Sequence, residues 1–135
     1  MIEFLIHRCF TAFKPDLIAY CRMEENTDSF SVLKSRGYKP DRTVCRKDDE
    51  SIQFMNESGQ AVSILNLPEN RSHPFEGILL NSRMKCGFAL FAGEKGILFI
   101  NFLHPYRFSL KDIQKAEEMI AYILSENMTV GGPGV

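Results

Sequence analysis

Few residues in this 135-residue chain are of types that do chemistry, and their spacing limits what that chemistry is. The thiols are Cys9, Cys21, Cys45 and Cys86. None lie two to four residues apart, so the usual zinc spacings are absent. Free cysteine is among the most buried side chains, so reduced, mostly buried thiols are the plain expectation. The alternative is a redox or covalent-attachment role, with Cys45 or Cys86 as the reactive thiol. The histidines are His7, His73 and His104. His7 falls on the polar side of a helical segment, and His104 ends a strand before Pro105. Arg71, His73 and Arg83 share one irregular segment and suit an anionic ligand, because guanidinium pairs well with carboxylate or phosphate. Read plainly, they belong to a solvated loop with surface ion pairs. Ser58-Gly59 lacks the G-x-S-x-G frame of a nucleophile elbow. Gly93 and Gly96 lack the following Lys-Ser/Thr of a phosphate loop. The acidic pairs Asp48/Asp49 and Glu117/Glu118 are adjacent on helices and read as solvated. The sequence shows no catalytic centre and no metal site.

One further polar residue stands out by its surroundings. Ile97 to Leu103 (ILFINFL) is apolar except for Asn101. A buried amide there is satisfied by neighbouring backbone or an ordered water, or else it faces a pocket and meets a ligand. The run is apolar on both faces, unlike a strand with one wet face, so both sides need cover.

The elements that supply that cover follow from periodicity. Ile2, Leu5, Ile6, Cys9, Phe10 and Phe13 form one helical stripe, ended by Lys14-Pro15. A helix that starts at Met1 has no room for an N-cap, as a helix cut from a longer parent would look. Leu17 to Met23 and Ser29 to Ser35 read as an antiparallel hairpin across the polar turn Glu24 to Asp28, with Phe30, Val32 and Lys34 on one face. Thr43 to Arg46 reads as a short strand. Asp48 to Ser58 reads as a short helix with acidic residues in its first turn and Gly59 as its stop, and Ala61 to Leu65 as the next strand. Lys85 to Phe91 and Ile97 to Leu103 flank a link with two glycines, a hairpin signal. Ser109 with Asp112 caps a last helix whose stripe is Ile113, Ala116, Ile120, Ile123 and Leu124. Between them, Asn66 to Arg83 is long and irregular, yet its Phe75, Ile78, Leu79 and Leu80 must pack on something. Both terminal helices can lie on one face of the sheet. The short helix and the long loop remain for the other, and a sheet roofed that way encloses a pocket. The fold class is α+β, around a central antiparallel sheet of five to six strands. One domain spans residues 1–128, and 129–135 form a tail of linker composition.

Charge is balanced, with 16 basic and 17 acidic residues. This excludes the basic footprint of a nucleic-acid binder and gives no support to charge-driven membrane attachment. No signal peptide and no stretch of roughly 18 apolar residues is present. The expectation is a soluble, cytoplasmic protein.

The segment GFALFAGEKGILFINFLHPYRFSLKDIQKAEEMIAYI, Gly87 to Ile123, resembles the closing signature of GAF domains, the small-molecule-sensing relatives of the PAS fold. Asn56 to Val62 is similar to that family's join between a short helix and a strand. The resemblance spans nearly the whole chain. It implies a six-stranded antiparallel sheet, helices on one face and a ligand pocket on the other. The specialised signatures are missing. Cys86 and Cys45 are not followed by His, as in bilin-binding members. The cyclic-nucleotide signature N-K-x-n-F-x-x-x-D-E is absent, and Cys45 and Cys86 are too far apart in sequence to match the cysteine set of the methionine sulfoxide reductase members, unless folding brings them together. The reading is a non-catalytic sensory domain that binds an unidentified small molecule and relays it to a signalling or transcriptional effector through its terminal helices, which also serve as a homodimer face. It names no cofactor and no nucleic-acid or membrane partner. The expected pocket residues are Asn101, Phe88, Phe99, Phe54, Phe75, His73, Arg83 and Cys86. Two alternatives stand beside it. One is a scaffold module whose pocket is plugged by Phe54, Phe75, Phe88 and Phe99, a use to which 11 phenylalanines lend themselves. The other is a thiol-based reductase.

Overall fold

The structure is a computed structural model that describes residues 1–70 and 72–130, with side chains through 125. Helix α1 (Ile2–Phe13) stops where expected: Lys14 turns left-handed and its N–H closes on the Phe10 carbonyl at 2.9 Å. Strands β1 (Leu17–Met23), β2 (Ser29–Gly37) and β3 (Val44–Arg46) follow. Helix α2 (Glu50–Ser58) is capped by Asp49 and ends on left-handed Gly59. Then come β4 (Val62–Ile64), a 3-10 turn at Glu76–Ile78, the hairpin β5 (Cys86–Phe91) and β6 (Gly96–Phe102), and α3 (Leu110–Val130). Helix α3 runs through Val130, so the domain boundary drawn at 128 falls inside it. The proposed linker at 131–135 lies outside the described residues.

The strands form one six-stranded sheet in the order β3-β2-β1-β6-β5-β4, with every pairing antiparallel. The central position of β6 explains its composition: all seven of its residues are buried. On one face, Leu98, Ile100 and Phe102 of β6 join Cys86, Phe88 and Leu90 of β5 beneath the stripes of α1 and α3. Phe88 is the hub there, with Phe108 at 4.9 Å and the Phe13 ring edge-on at 6.1 Å. On the other face, Ile97 and Phe99 meet Ile52 and Met55 of α2 and Ile78 to Leu80 of the loop. Terminal helices on one face, and a short helix plus loop on the other, are the layers the periodicity predicts.

One strand departs from simple alternation. Cys21 pairs with Val32, but Tyr20 pairs with Lys34, so Leu33 is left over as a bulge. Lys34 is therefore on the α1 side of the sheet, where it meets Glu3 at 3.1 Å, and not on the face of Phe30 and Val32.

Among the described residues, no helix is long and apolar enough to cross a membrane.

Candidate functional site: a cavity between the sheet, α2 and the long loop

Small residues set the space on the second face. Phe99 on β6 lies between Ala19 of β1 and Ala89 of β5 in register. Next to it, Asn101 lies between Leu17 and Gly87. With only methyl groups beside it, the Phe99 ring forms the floor of a cavity of about 220 Å³. The walls are Val44 and Cys45 of β3, Ser51 and Ile52 of α2, and Gly77 of the 3-10 turn. Arg42, Asp48 and Asp49 complete the rim.

The rim is held by specific hydrogen bonds. Asp49 Oδ1 accepts from the Ser51 N–H at 3.0 Å and from the Ser51 hydroxyl, which fixes the first turn of α2. Asp49 Oδ2 lies against Gly77: a Cβ built there would sit 2.6 Å from that oxygen. Gly77 is thus where α2 and the loop meet without a side chain between them. Arg42 Nη2 donates to the carbonyls of Gly77 (3.1 Å) and Leu79 (3.5 Å).

The loop that roofs the cavity is anchored. Asn101 Oδ1 accepts from the Leu80 N–H at 2.7 Å, and Nδ2 donates to the Ile78 carbonyl at 3.0 Å. The amide is fully buried and acts as a short piece of β-ladder for a segment with no strand beside it. On the outer side, the Asp41 N–H donates to the Leu80 carbonyl, and Asn81 Nδ2 donates to the Lys39 carbonyl, each at 2.8 Å. The Ser82 N–H donates to Asp41 Oδ2 at 2.7 Å. The long irregular loop is thus a roof bonded from both sides.

One thiol, Cys45, lies at the inner wall, and Cys21 is fully buried on the same face of the sheet. The influence of the Cys21 thiol lowers the Cys45 pKa, and that of Cys45, with burial, raises the Cys21 pKa. The nearby Arg42 charge adds to the lowering at Cys45, while burial and Asp49 oppose it. A wider cleft of about 410 Å³ adjoins the cavity and shares Arg46 and Asp48 with it. Its lining residues carry charged and amide side chains.

No protein-family model matches the sequence, and comparison with curated proteins finds no match either. Solved structures do match. A GAF domain/HD domain protein from Geobacter sulfurreducens superposes with a TM-score of 0.70 at 15% identity, covering 96% of this chain and 92% of that one. The GAF domain of a two-component sensor histidine kinase from Bacillus halodurans gives 0.67 at 14% identity, with 98% of each chain covered. The chain has the GAF fold. A free methionine-R-sulfoxide reductase from Neisseria meningitidis, solved with its substrate, shares it too, with a TM-score of 0.71 at 15% identity over 88% of this chain and 72% of that one.

Within this GAF fold the expected pocket residues separate. Phe99 is on the cavity floor, and Asn101 holds the roof through backbone partners, the first of its two readings. Phe88 and Cys86 are corrected to the opposite face: they alternate with Gly87 and Ala89, and the larger side chains go beneath the terminal helices. Burial pushes the Cys86 thiol up, against lowering contributions from the backbone at Arg107, Tyr106 and Phe108. Phe54, Phe75 and His73 form a cluster outside the cavity. Phe54 is 40% exposed and its ring is 5.2 Å from Phe75, whose N–H donates to His73 Nδ1 at 3.0 Å. Arg83 is exposed and bound to Asn81 through its backbone N–H. Arg71 lies outside the described residues. The phenylalanine plug is thus reduced to Phe99, which leaves the cavity open above it. Reasoning from sequence missed Arg42, Asp49, Ser51 and Gly77. Asp49-x-Ser51 carries a capping signal that was legible; Arg42 carries none.

Proposed function

We propose that this GAF domain binds a small molecule in the cavity between β3, α2 and the 3-10 turn. The observation that carries this reading is the open space above Phe99, ringed by polar groups that are already held in place. At about 220 Å³ the cavity is below the roughly 300–1,000 Å³ of drug-sized sites, so the ligand is small. The rim carries the guanidinium groups of Arg42 and Arg46 and the carboxylates of Asp48 and Asp49 over an apolar floor, with Arg46 Nε bonded to Asp48 Oδ1 at 3.2 Å. That arrangement suits a dipolar or zwitterionic molecule better than a simple anion. Binding would bias how α2 and the roof sit on the sheet, and the terminal helices on its far side would carry the change outward. Those helices also offer a pairing surface for a second copy, since Phe4, Met119 and Tyr122 line an open groove of about 210 Å³.

Native mass spectrometry of the purified protein tests both parts. The expected spectrum shows a dimer with an extra small-molecule mass, and that mass is lost in Val44→Trp. Val44 is 45% exposed, so a larger ring there obstructs the mouth without repacking the core. An extra mass retained by Val44→Trp contradicts the site, and a purely monomeric spectrum contradicts the pairing.

A second reading, thiol-dependent reduction, is favoured by one observation: Cys45 is in the cavity wall. Cys86, the other thiol considered, is on the wrong face. Consumption of free methionine sulfoxide with a dithiol reductant, abolished by Cys45→Ala, would favour this reading over binding alone. No turnover by the folded protein would remove it.

A further inference from the structure

Around the cavity some polar groups are spent on the protein and others are left open. Arg46 and Asp48 are spent on each other, at 3.2 Å. Asp49 uses only Oδ1, which accepts from the Ser51 N–H and hydroxyl to cap α2. Asp49 Oδ2 has no hydrogen-bond partner among the described residues. It keeps access to solvent, since none of those residues has a buried side-chain oxygen without a partner. Arg42 uses only Nη2, which donates to the Gly77 and Leu79 carbonyls. The donors of its Nη1 and Nε have no partner among the described residues. Nor do Arg42 and Asp49 pair with each other: the ion pairs among the described residues are Glu3–Lys34 and Arg46–Asp48.

Gly77 stands between the two open groups. Its carbonyl accepts from Arg42 Nη2 at 3.1 Å, and a Cβ built on it would be 2.6 Å from Asp49 Oδ2. An open donor edge and an open acceptor are thus separated by about the width of one residue. Both belong to the rim of a space floored by Phe99 and walled by Val44 and Ile52. A side chain on Gly77 would cover the acceptor.

We infer that the ligand of this cavity is a free α-amino acid with a small apolar side chain, its carboxylate on Arg42 and its ammonium on Asp49 Oδ2. This rests on the cavity reading above and adds the two contacts that set selectivity. An α-amino acid carries both charges on a single Cα, which matches the one-residue gap that Gly77 spans. The free edge of a guanidinium takes a carboxylate in two parallel hydrogen bonds. A carboxylate oxygen takes an ammonium N–H in a charge-assisted bond of the same kind. The apolar side chain is then left for Phe99, Val44 and Ile52. Partial matches are penalised as well as less well held. A simple carboxylate would sit beside Asp49 with no cation of its own, and a simple amine beside Arg42 with no anion.

Amide-resolved NMR titration of the wild-type protein tests the assignment. The probes are alanine, valine and leucine, each with the amine and the carboxylate that share its side chain; for valine these are isobutylamine and 3-methylbutanoate. At least one amino acid is expected to move the Ser51, Gly77 and Phe99 amides with a Kd at least about tenfold below both singly charged counterparts. That is the discrimination a lost charge-assisted hydrogen bond carries. Asp49→Asn keeps the cap of α2, because asparagine caps a helix as well as aspartate does. It is expected to weaken the amino acid at least about tenfold and the carboxylate not at all. Arg42→Gln keeps a donor for the Gly77 carbonyl and is expected to weaken the amino acid likewise but not the amine. A carboxylate or amine that binds as tightly as its amino acid at these amides overturns the inference and leaves the cavity reading in place. Amides unmoved by every one of these probes overturn it too, and the cavity reading falls with it only if other dipolar fragments also leave them unmoved. The ranking of probes is read on the wild type, so a variant that fails to fold does not blunt the test.

Discussion

Replacing Asn101 with alanine is expected to lower the unfolding free energy by roughly 3 kcal/mol, the loss attached to leaving two buried backbone groups without partners. The groups are the Leu80 N–H and the Ile78 carbonyl, and Asn101 serves both at 2.7 and 3.0 Å. Ile78, Leu79 and Leu80 are all buried, so water does not replace the amide while the loop stays in place. Deleting an exposed polar side chain costs far less, within about 0.5 kcal/mol. Asn101→Asp is expected to be no better. A carboxylate still accepts from Leu80 but has nothing to donate to Ile78, and its charge is buried. Urea denaturation reads the effect as a midpoint lowered by about 1–2 M at an m-value ordinary for this size. A midpoint unchanged in Asn101→Ala would mean that the roof is held by its outer bonds to Lys39, Asp41 and Arg42 alone.

Gly87→Ala is expected to be destabilising by about 2–4 kcal/mol, against the usual sign for this exchange. Where the backbone tolerates it, Gly→Ala gains about 0.4–1 kcal/mol by restricting the unfolded chain. Here an added Cβ would lie 2.6 Å from the Ile100 carbonyl oxygen, 2.9 Å from Asn101 Nδ2 and 3.0 Å from a Leu79 methyl. The first of these is backbone in the adjacent central strand and cannot swing away. Overpacking a core costs about 1–3 kcal/mol, and displacing the Asn101 amide adds part of the loss described above. The two substitutions act on one contact, so their effects should fall short of additive in the double variant. Equal stability of Gly87→Ala and wild type in the same urea titration would show that the strand pair opens to admit the methyl.

The contrast between these two positions shows what was legible in the sequence. The terminal helices, the last hairpin and the sheet's two covered faces were all readable, because each rests on local periodicity: apolar stripes at helical spacing, and strands with no wet side. The roof was readable as a buried segment but not as an anchored one. Its anchors come from β6 and from residues 39–42, neither of them neighbours in the chain. The misplaced Phe88 and Cys86 have a different cause. In a strand apolar on both faces, hydrophobicity does not distinguish the sides, whereas size does: Gly87 and Ala89 alternate with Cys86, Phe88 and Leu90. Ala19, in register with Phe99, marks the same face from β1. Lys34 was placed on the wrong face because one bulged residue shifts the period of two, and Ser29 to Ser35 carries no glycine or proline to announce it.

The central claim is that a small molecule occupies the space above Phe99. An amide-resolved NMR titration with a library of small dipolar fragments, amino-acid derivatives included, tests it most directly. The account predicts that binding fragments shift the amides of Cys45, Ser51, Ile52, Gly77 and Phe99, and that Val44→Trp abolishes those shifts while leaving the rest of the spectrum in place. Fragments that bind only at the Phe4–Tyr122 groove or the Phe54–Phe75 cluster, with the cavity amides unmoved, would contradict it.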